Sequence, residues 1–333
     1  MNRLSPSSVA SFVVGHGLVA ASQVVEVRIL SSGFTNTVFR VATATGRDIV
    51  VKQSYEASER TALRADIGRA LYEVDCMRAL KEILGPGCPT PEVLAADPVD
   101  HVVAMVAAPR DATRYDDELR AGHVDPAVTD RITAYLVRLH SATEGDRTLQ
   151  RRFRTNPGFE LRAQSIRSVG LSHPDLQRRI DVALDRNRTE GRVLVDANVT
   201  PKNVLLHGVE ITKLDFVCAQ WGDPALDLGI FLAHYPLMVF GSKALPTILV
   251  AEARRAFDNY IVSRGEYSSE FLSRTIEYMA LMMLGRADGD FVFDYLQPHR
   301  ATVCELARRL LGGSFTSFGD VHGMLIDSLS RVV

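Results

Sequence analysis

Apolar and polar residues follow two different periods along this chain of 333 residues. In the first third, β-branched and aromatic residues alternate or run together at 25–30, 37–43 and 48–52, separated by the turn-rich stretches SSGFTN and ATGRD. This pattern predicts three antiparallel strands. Residues 59–84 carry apolar residues at spacing three, which predicts a helix. After the helix-breaking GPGCPTPE, residues 93–106 predict two more short strands.

The periodicity becomes mainly helical beyond about residue 109. Helical spacing recurs in six segments, which are 125–143, 174–188, 226–240, 247–264, 267–285 and 299–311. Three short segments predict strands instead, namely 193–196, 203–207 and 211–216. We therefore predict an α+β fold of two lobes, a small antiparallel β-sheet lobe at 1–108 and a larger, mainly helical lobe at 109–333. Near the N-terminus, Ser5 and Pro6 predict the N-cap and first turn of a short helix.

Composition and charge exclude several classes of function. The formal net charge of −2 argues against a general nucleic-acid binder. The sequence has no uninterrupted apolar run of about 18 residues, so no membrane span is predicted. The apolar run at the N-terminus is broken by glycine and histidine, so we expect a cytoplasmic protein. The four cysteines form no C-x-x-C pair and predict neither a zinc site nor a disulfide framework.

Candidate phosphate-binding residues lie in the first lobe. The turn that holds Gly33, Phe34 and Thr35 can lay backbone N–H groups over phosphates. Lys52 closes the third strand, and Glu73 lies on the following helix, from which its carboxylate can hold the lysine straight. Each feature also has a simpler explanation when it is taken alone. Lysine, however, occurs only at 52, 81, 202, 213 and 243, so a lysine here is less readily explained as a casual surface residue.

Candidate metal ligands lie in the second lobe. PKNVLL runs from a turn into an apolar strand, HGVE reverses the chain, and ITKLDF returns. This hairpin brings Asn203 and Asp215 near the same end, where an amide oxygen and a carboxylate are hard donors suited to Mg²⁺. In the following WGDPALDLG, we expect Asp223 to cap the next helix ahead of Pro224 and Asp227 to be structural.

Several of these stretches together resemble the aminoglycoside phosphotransferase and choline kinase-like superfamily, small-molecule relatives of protein kinases. They are GFTNTVFRV, VVKQ, YLVRLHSAT and NVLL…ITKLDFVCAQWGDPALDLG, and VVKQ is especially similar to methylthioribose kinases. The resemblance implies a protein-kinase-like fold and ATP-dependent phosphoryl transfer to a hydroxyl of a small molecule. It implies ATP contacts from Gly33, Phe34, Thr35, Lys52, Glu73, Met105 and Ala107, and Mg²⁺ ligands at Asn203 and Asp215.

The stretch Asp196-Ala197-Asn198 departs from the superfamily pattern of His-Gly-Asp, four residues, then Asn, and Ala197 stands in the place of the glycine. Counting back five from Asn203 reaches Asn198, so an amide stands where the catalytic aspartate is expected, and Asp196 stands in the place of the histidine. An amide accepts a hydrogen bond but is not a useful base, whereas phosphoryl transfer depends mostly on positioning and charge neutralisation. We expect Asn198 to orient the acceptor. Asp196 either replaces the base or takes over the structural hydrogen bonds of the missing histidine.

Three functions stay open at this point. They are a slow or atypical kinase, a nucleotide-binding pseudokinase that acts as a regulatory or partner-binding module, and a divergent transferase such as a nucleotidyl transferase. The acidic residues Asp288, Asp290 and Asp294 lie in the helical lobe, where relatives place acceptor-binding residues. They suit either a cationic acceptor or, more simply, a solvated loop.

Overall fold

The first lobe is built on a five-stranded antiparallel sheet in the order β1-β2-β3-β5-β4. The computed structural model describes residues 3–32, 36–55, 66–265 and 267–330. The elements of this lobe are α1 (Pro6–Gly15), β1 (Val24–Ser32), β2 (Asn36–Thr43), β3 (Ile49–Ser54), α2 (Arg69–Leu84), β4 (Val93–Asp97) and β5 (Val102–Val106).

Alternation along β3 determines which helix each of its residues faces. Successive side chains of a strand point to opposite faces of a sheet. Val51 is fully buried in a cluster with Val9 and Val13 of α1. Val50 packs instead into the main core, to which α2 contributes. Lys52 therefore emerges on the α2 face, where Glu73 of α2 contacts it.

The second lobe is mainly helical, and its centre is the pair α9 and α11. Every residue of α9 is buried, as expected for a helix that is apolar all round. The elements are β6 (Thr113–Arg114), α3 (Tyr115–Ala121), α4 (Pro126–Thr143), α5 (Arg147–Phe153), α6 (Phe159–Arg167), α7 (Val169–Ser172), α8 (Gln177–Thr189), β7 (Val193–Val195), β8 (Val204–His207), β9 (Glu210–Lys213), β10 (Gln220–Gly222), α9 (Pro224–Met238), α10 (Pro246–Arg264), α11 (Ser269–Asp288), α12 (Arg300–Gly312) and α13 (Phe318–Leu329).

The predicted α+β fold class is confirmed, as are the five strands of the first lobe and a helix within each of the six helical segments. Ser5 is the N-cap of α1, with Pro6 in its first turn. Asp223 caps α9, because its Oδ1 accepts a hydrogen bond from the backbone of Ala225 at 3.0 Å. Within the described residues, no helix combines the length and apolar composition that crossing a bilayer requires.

Two predicted boundaries are wrong. Helix α2 begins at Arg69, and residues 66–68 form a loop and turn before it, while 56–65 lie outside the described residues. Strand β9 ends at Lys213 instead of continuing to 216. The reason is local backbone geometry, because Asp215 has φ +64°, a left-handed conformation that cannot continue a strand.

Candidate active site between the sheet and the helical lobe

Lys52 and Glu73 form a buried ion pair that joins β3 to α2. Lys52 Nζ lies 2.8 Å from Oε2 and 3.1 Å from Oε1 of Glu73. The two side chains are only 8% and 2% exposed. Burial by itself lowers the pKa of Lys52, but the negative charges of Asp215 and Glu73 outweigh it and hold this pKa above its ordinary value. The ammonium is therefore charged and fixed in one direction.

Asp215 approaches the same ammonium from the helical lobe. Its Oδ1 lies 2.9 Å from Lys52 Nζ, and the next residue, Phe216, donates its backbone N–H to Glu73 Oε1 at 3.1 Å. Burial raises the pKa of Asp215, but attraction to Lys52 is stronger and keeps this pKa well below its ordinary value. Its side chain is about a third exposed, so an ionised oxygen ligand remains accessible.

The hairpin of β8 and β9 places the two predicted metal ligands at the same end. Val204 pairs with Lys213, and Leu214 donates its N–H to the carbonyl of Asn203 at 2.8 Å. The amide nitrogen of Asn203 donates to the carbonyl of Asn198 at 3.2 Å, which leaves its amide oxygen for a cation. A carboxylate and an amide oxygen are the donor types that Mg²⁺ takes, so this pair fits the ion.

Asn198 is held at both ends of its side-chain amide. Its Nδ2 donates to Asp215 Oδ2 at 2.8 Å and to the Asp215 carbonyl at 3.1 Å. Its Oδ1 accepts a hydrogen bond from Arg162 Nη2 at 2.8 Å. Because a guanidinium only donates and a carboxylate only accepts, these partners determine the orientation of the amide. The oxygen expected to meet an acceptor hydroxyl thus already has a cationic partner.

Asp196 is buried and fully engaged with protein groups. Its Oδ2 accepts from the Tyr135 hydroxyl at 2.9 Å, and its Oδ1 lies 3.0 Å from the ammonium of Lys213. The same Oδ1 accepts the backbone N–H of Asn198 at 3.0 Å. Burial raises the pKa of Asp196, and the charge of Lys213 opposes this rise. Because only 1% of Asp196 is exposed, its carboxylate serves to hold the conformation of the loop that follows β7.

Asp227 holds the other side of this loop. It accepts the backbone N–H groups of Asp196 at 2.8 Å and of Ala197 at 2.6 Å. His140 Nε2 lies 3.1 Å from the same carboxylate. These bonds stabilise Ala197 at φ +55°, a conformation that side chains other than glycine seldom adopt. The loop is therefore fixed by α4 and α9 together.

Three basic residues whose charges repel one another were not predicted from the sequence, and one of them, Arg162, contacts Asn198. We call Arg162, Lys202 and Arg286 the cationic cluster. Arg162 donates Nε to the carbonyl of Ala197 at 2.7 Å. Its Nη1 contacts the sulfur of Met282 at 3.9 Å, one turn before Arg286 on α11. Desolvation and then repulsion from Arg286 and Arg162 lower the pKa of Lys202 to about 8. Burial and then Arg162 likewise lower the pKa of Arg286.

Buried nitrogen atoms without partners lie in the same region. Arg286 is 5% exposed; it donates Nη1 to the Phe291 carbonyl at 3.2 Å, and its Nε has no hydrogen-bond partner within the described residues. His234 donates its Nδ1–H to the Ile230 carbonyl at 2.7 Å, and its Nε2 is without a partner among the described residues. Burial, reinforced by Arg286, lowers the pKa of His234 to about 3, so this imidazole is neutral.

The remaining predicted nucleotide contacts lie at the sheet. Gly33, Phe34 and Thr35 fall outside the described residues. Met105 of β5 pairs with Val50, and Val103, two residues earlier on β5, pairs with Lys52. Ala107 donates its N–H to the carbonyl of residue 48 at 3.0 Å just beyond that strand. The assignment of Met105 and Ala107 to the nucleotide stays a prediction.

The predicted acidic group near the end of α11 is partly neutralised. Asp288 receives two hydrogen bonds from Arg300, each at 2.7 Å, and lies 3.3 Å from His173 Nε2. Asp290 and Asp294 are exposed. The exposed Asp290 and Asp294 fit the simpler sequence interpretation of a solvated segment, whereas Asp288 ends α11 and is held in a local ion pair.

Sequence reasoning missed Arg162, Lys213 and Arg286. The scarcity of lysine gave a signal for Lys213, since Lys52, Lys202 and Lys213 are three of the five lysines and all lie around this site. Arginine is abundant in the chain, so nothing distinguished Arg162 and Arg286 before their burial was known.

Comparisons with known proteins give a consistent result. A model of a phosphotransferase enzyme family matches residues 26–265. A choline/ethanolamine kinase family protein from Mesorhizobium loti has a TM-score of 0.59 at 14% identity, over 98% of this chain and 99% of that chain. Choline kinase from Cryptosporidium parvum Iowa II has a TM-score of 0.58 at 12% identity, over 97% and 99%.

A third solved structure, ethanolamine kinase from Plasmodium vivax, has a TM-score of 0.53 at 12% identity, over 95% of this chain and 86% of that chain. The comparison with curated proteins gave no match. At identities this low, structural similarity shows a shared fold alone. The similarity confirms the predicted kinase-like architecture.

Proposed function

The chain belongs to the phosphotransferase enzyme family, and from that premise we propose that it transfers the γ-phosphoryl group of Mg²⁺–ATP to a small molecule. The observation that carries the proposal is the pair of contacts from one buried ammonium, Lys52, to Glu73 at 2.8 Å and to Asp215 at 2.9 Å. Kinase-type sites require such a lysine and glutamate pair and an aspartate for the metal ion.

Lys52 serves the α- and β-phosphates, and Glu73 keeps its ammonium directed at them. Asn203 and Asp215 would hold a magnesium ion, which would supply positive charge beside the phosphate oxygens. The Lys52 contact with Asp215 orders the aspartate before the nucleotide binds. The protein thus supplies positioning and charge, which account for most of the catalysis in this class of reaction.

Asp196 is a positioning residue in this proposal. Its burial and its bonds to Tyr135 and Lys213 favour the structural role over that of a replacement base. It holds the backbone N–H of Asn198 and so sets where the amide meets Asp215. Asn198 in turn links the metal ligand to the acceptor side of the site.

The proposal is tested by calorimetric titration of Mg²⁺–ATP into the wild-type protein and into Lys52→Met. Loss of a charge-assisted contact to phosphate weakens binding by about tenfold or more. Lys243→Met is the matched control, because Lys243 is an exposed lysine that follows α9 in the chain and makes none of the site contacts described above. Equal affinity in wild type and Lys52→Met contradicts the proposal.

A second function is favoured by Asn198, which supplies no carboxylate at the position of the catalytic aspartate. A nucleotide-binding pseudokinase binds Mg²⁺–ATP but consumes none with any acceptor. Incubation with labelled ATP and a broad acceptor panel separates the two functions. Mass analysis of the products distinguishes phosphorylation from nucleotidyl transfer.

A further inference from the structure

The oxygen of the Asn198 side chain is directed to a cation. Arg162 donates to this Oδ1 at 2.8 Å, so the atom that corresponds to the catalytic base already accepts from a permanently charged guanidinium. An amide cannot take a proton near neutral pH, and here its lone pairs are also shared with Arg162. Residue 198 therefore cannot remove a proton from an acceptor hydroxyl.

The three residues of the cationic cluster lack direct carboxylate partners among the residues that the structure describes. Within the described part of the chain, Arg162, Lys202 and Arg286 form no ion pair with an acidic side chain. Arg286 is 5% exposed, and its Nε lacks a hydrogen-bond partner there. Buried charges are ordinarily paired or bound to a ligand. The fold therefore maintains cations that a bound anion would stabilise.

The group is contiguous with the phosphoryl-transfer residues. Arg162 contacts both Asn198 and Met282, and Met282 lies one helical turn from Arg286 on α11. Lys202 precedes the metal ligand Asn203. The cationic cluster thus extends from the metal-binding end of the hairpin to α11.

We propose that the phosphoryl acceptor is an oxyanion, a carboxylate or phosphate group held by the cationic cluster, instead of the neutral hydroxyl expected from the sequence. The inference rests on the phosphotransferase activity proposed above. It explains Asn198, because an oxyanion brings its own lone pair and has no proton for a base to remove. A carboxylate at residue 198 would repel such an acceptor, whereas an amide does not.

The transfer balances without a base. A lone pair of the acceptor oxygen forms the new bond to the γ-phosphorus of ATP. The bond from that phosphorus to the oxygen bridging the β-phosphate breaks, and its electron pair leaves with ADP. A carboxylate yields an acyl phosphate and a phosphate monoester yields a diphosphate. The total charge is equal on both sides, so no proton is released, whereas a hydroxyl acceptor releases one.

Binding is tested first, without nucleotide, with sodium phosphate and sodium acetate as the probes for the two kinds of oxyanion and sodium chloride at equal ionic strength as the reference. We expect phosphate, acetate or both to raise the melting temperature. Arg286→Gln and Lys202→Gln each weaken this binding by about tenfold or more, the effect of losing a charge-assisted bond. Lys202 is exposed, so its variant tests the cluster even if Arg286→Gln folds poorly.

Two control variants locate the bound anion. Lys52→Met retains the effect if the anion occupies the cationic cluster and loses it if the anion occupies the nucleotide phosphate position. Arg308→Gln removes an exposed arginine that is paired with Asp175 and leaves binding unchanged. Stabilisation that persists in both Lys202→Gln and Arg286→Gln, or that disappears in Lys52→Met, overturns the inference.

Activity gives a second, independent measurement. Carboxylates, phosphate monoesters and choline are incubated with Mg²⁺–ATP in weak buffer, with hydroxylamine to trap acyl phosphates and a pH-stat to count protons. We expect ADP with an oxyanion acceptor and no accompanying proton. Turnover of choline or another alcohol, with one proton per ADP, overturns the oxyanion inference and leaves the phosphotransferase proposal intact. Failure to bind Mg²⁺–ATP refutes the phosphotransferase proposal instead.

Discussion

Replacing Asn198 with aspartate places a carboxylate between a cation and an anion. The amide nitrogen lies 2.8 Å from Asp215 Oδ2, and the amide oxygen lies 2.8 Å from Arg162 Nη2. At an effective dielectric constant of about 20, two unit charges at this distance interact by about 6 kcal/mol. The repulsion from Asp215 and the attraction to Arg162 are therefore similar in size and largely cancel.

Two unfavourable effects remain. The hydrogen bond that the amide donated is lost, and two carboxylates are brought into close contact. The net loss in the free energy of unfolding is about 1–3 kcal/mol in the absence of metal. A magnesium ion held by Asp215 would relieve this repulsion, because its positive charge would offset the two carboxylates. If Asn198→Asp binds the ion tenfold more tightly, excess Mg²⁺ restores about 1.4 kcal/mol relative to wild type.

The assay is urea unfolding at neutral pH in EDTA and in excess magnesium chloride. Asn156→Asp is the matched control, since the buried amide of Asn156 also donates two hydrogen bonds, here to the carbonyls of Val217 and Ala219 at 2.8 and 2.6 Å. Asn156→Asp should be less stable than the wild type but should gain no more stability from magnesium than the wild type does. If Asn198→Asp matches wild type in EDTA, or gains no more from magnesium, the described placement of Asn198 is wrong.

Three further predictions concern the buried groups around the loop. Lys213→Met leaves the carboxylate of Asp196 without its ion pair and should cost about 3–5 kcal/mol in urea unfolding, whereas the double variant with Asp196→Asn should recover most of the loss; equal stability of the single and double variants would refute the pairing. The depressed pKa of His234, about 3, means that the unfolded chain binds more protons between about pH 3 and 6.5, so stability falls as pH is lowered through this range. In His234→Asn the pH slope should be flatter by up to about 1.4 kcal/mol per unit, and unchanged slopes would contradict the burial of this imidazole. Asp227→Asn can accept only one of the two backbone N–H groups that the carboxylate holds, and a midpoint shift equivalent to about 1–3 kcal/mol is expected; a wild-type midpoint would show that the loop does not depend on this carboxylate.

Sequence periodicity was sufficient for the architecture because the main elements are long or strongly patterned. The segments at 125–143 and 247–264 differ from α4 and α10 by one residue at a single end. Helices α3, α5, α6, α7 and α13 were not predicted. Helices α3, α5 and α7 have seven residues or fewer and give too little periodic signal, whereas α13 is long enough and was simply missed. Strand β9 was predicted too long, since a left-handed residue at 215 is not apparent from an apolar pattern.

The site shows a different limit of sequence reasoning. Lys52 and Asp215 are 163 positions apart in the chain, and only their order relative to a known pattern indicated that they meet. The partner of Asp196 was not predicted, because a lysine inside an apolar strand gives no indication of which acid it will meet. Arg162 and Arg286 were missed for a similar reason, since burial and absence of a carboxylate partner are properties of the folded chain.

The ion pair of Asp196 and Lys213 also limits how this protein can evolve. Both side chains are essentially inaccessible to water, so a substitution at either position alone leaves an uncompensated charge in the interior. A change of this pair to uncharged residues therefore requires both substitutions, since either one alone passes through a destabilised protein. Descendant sequences should keep both residues or lose both, and a lineage that retains only one should carry a new compensating group beside it.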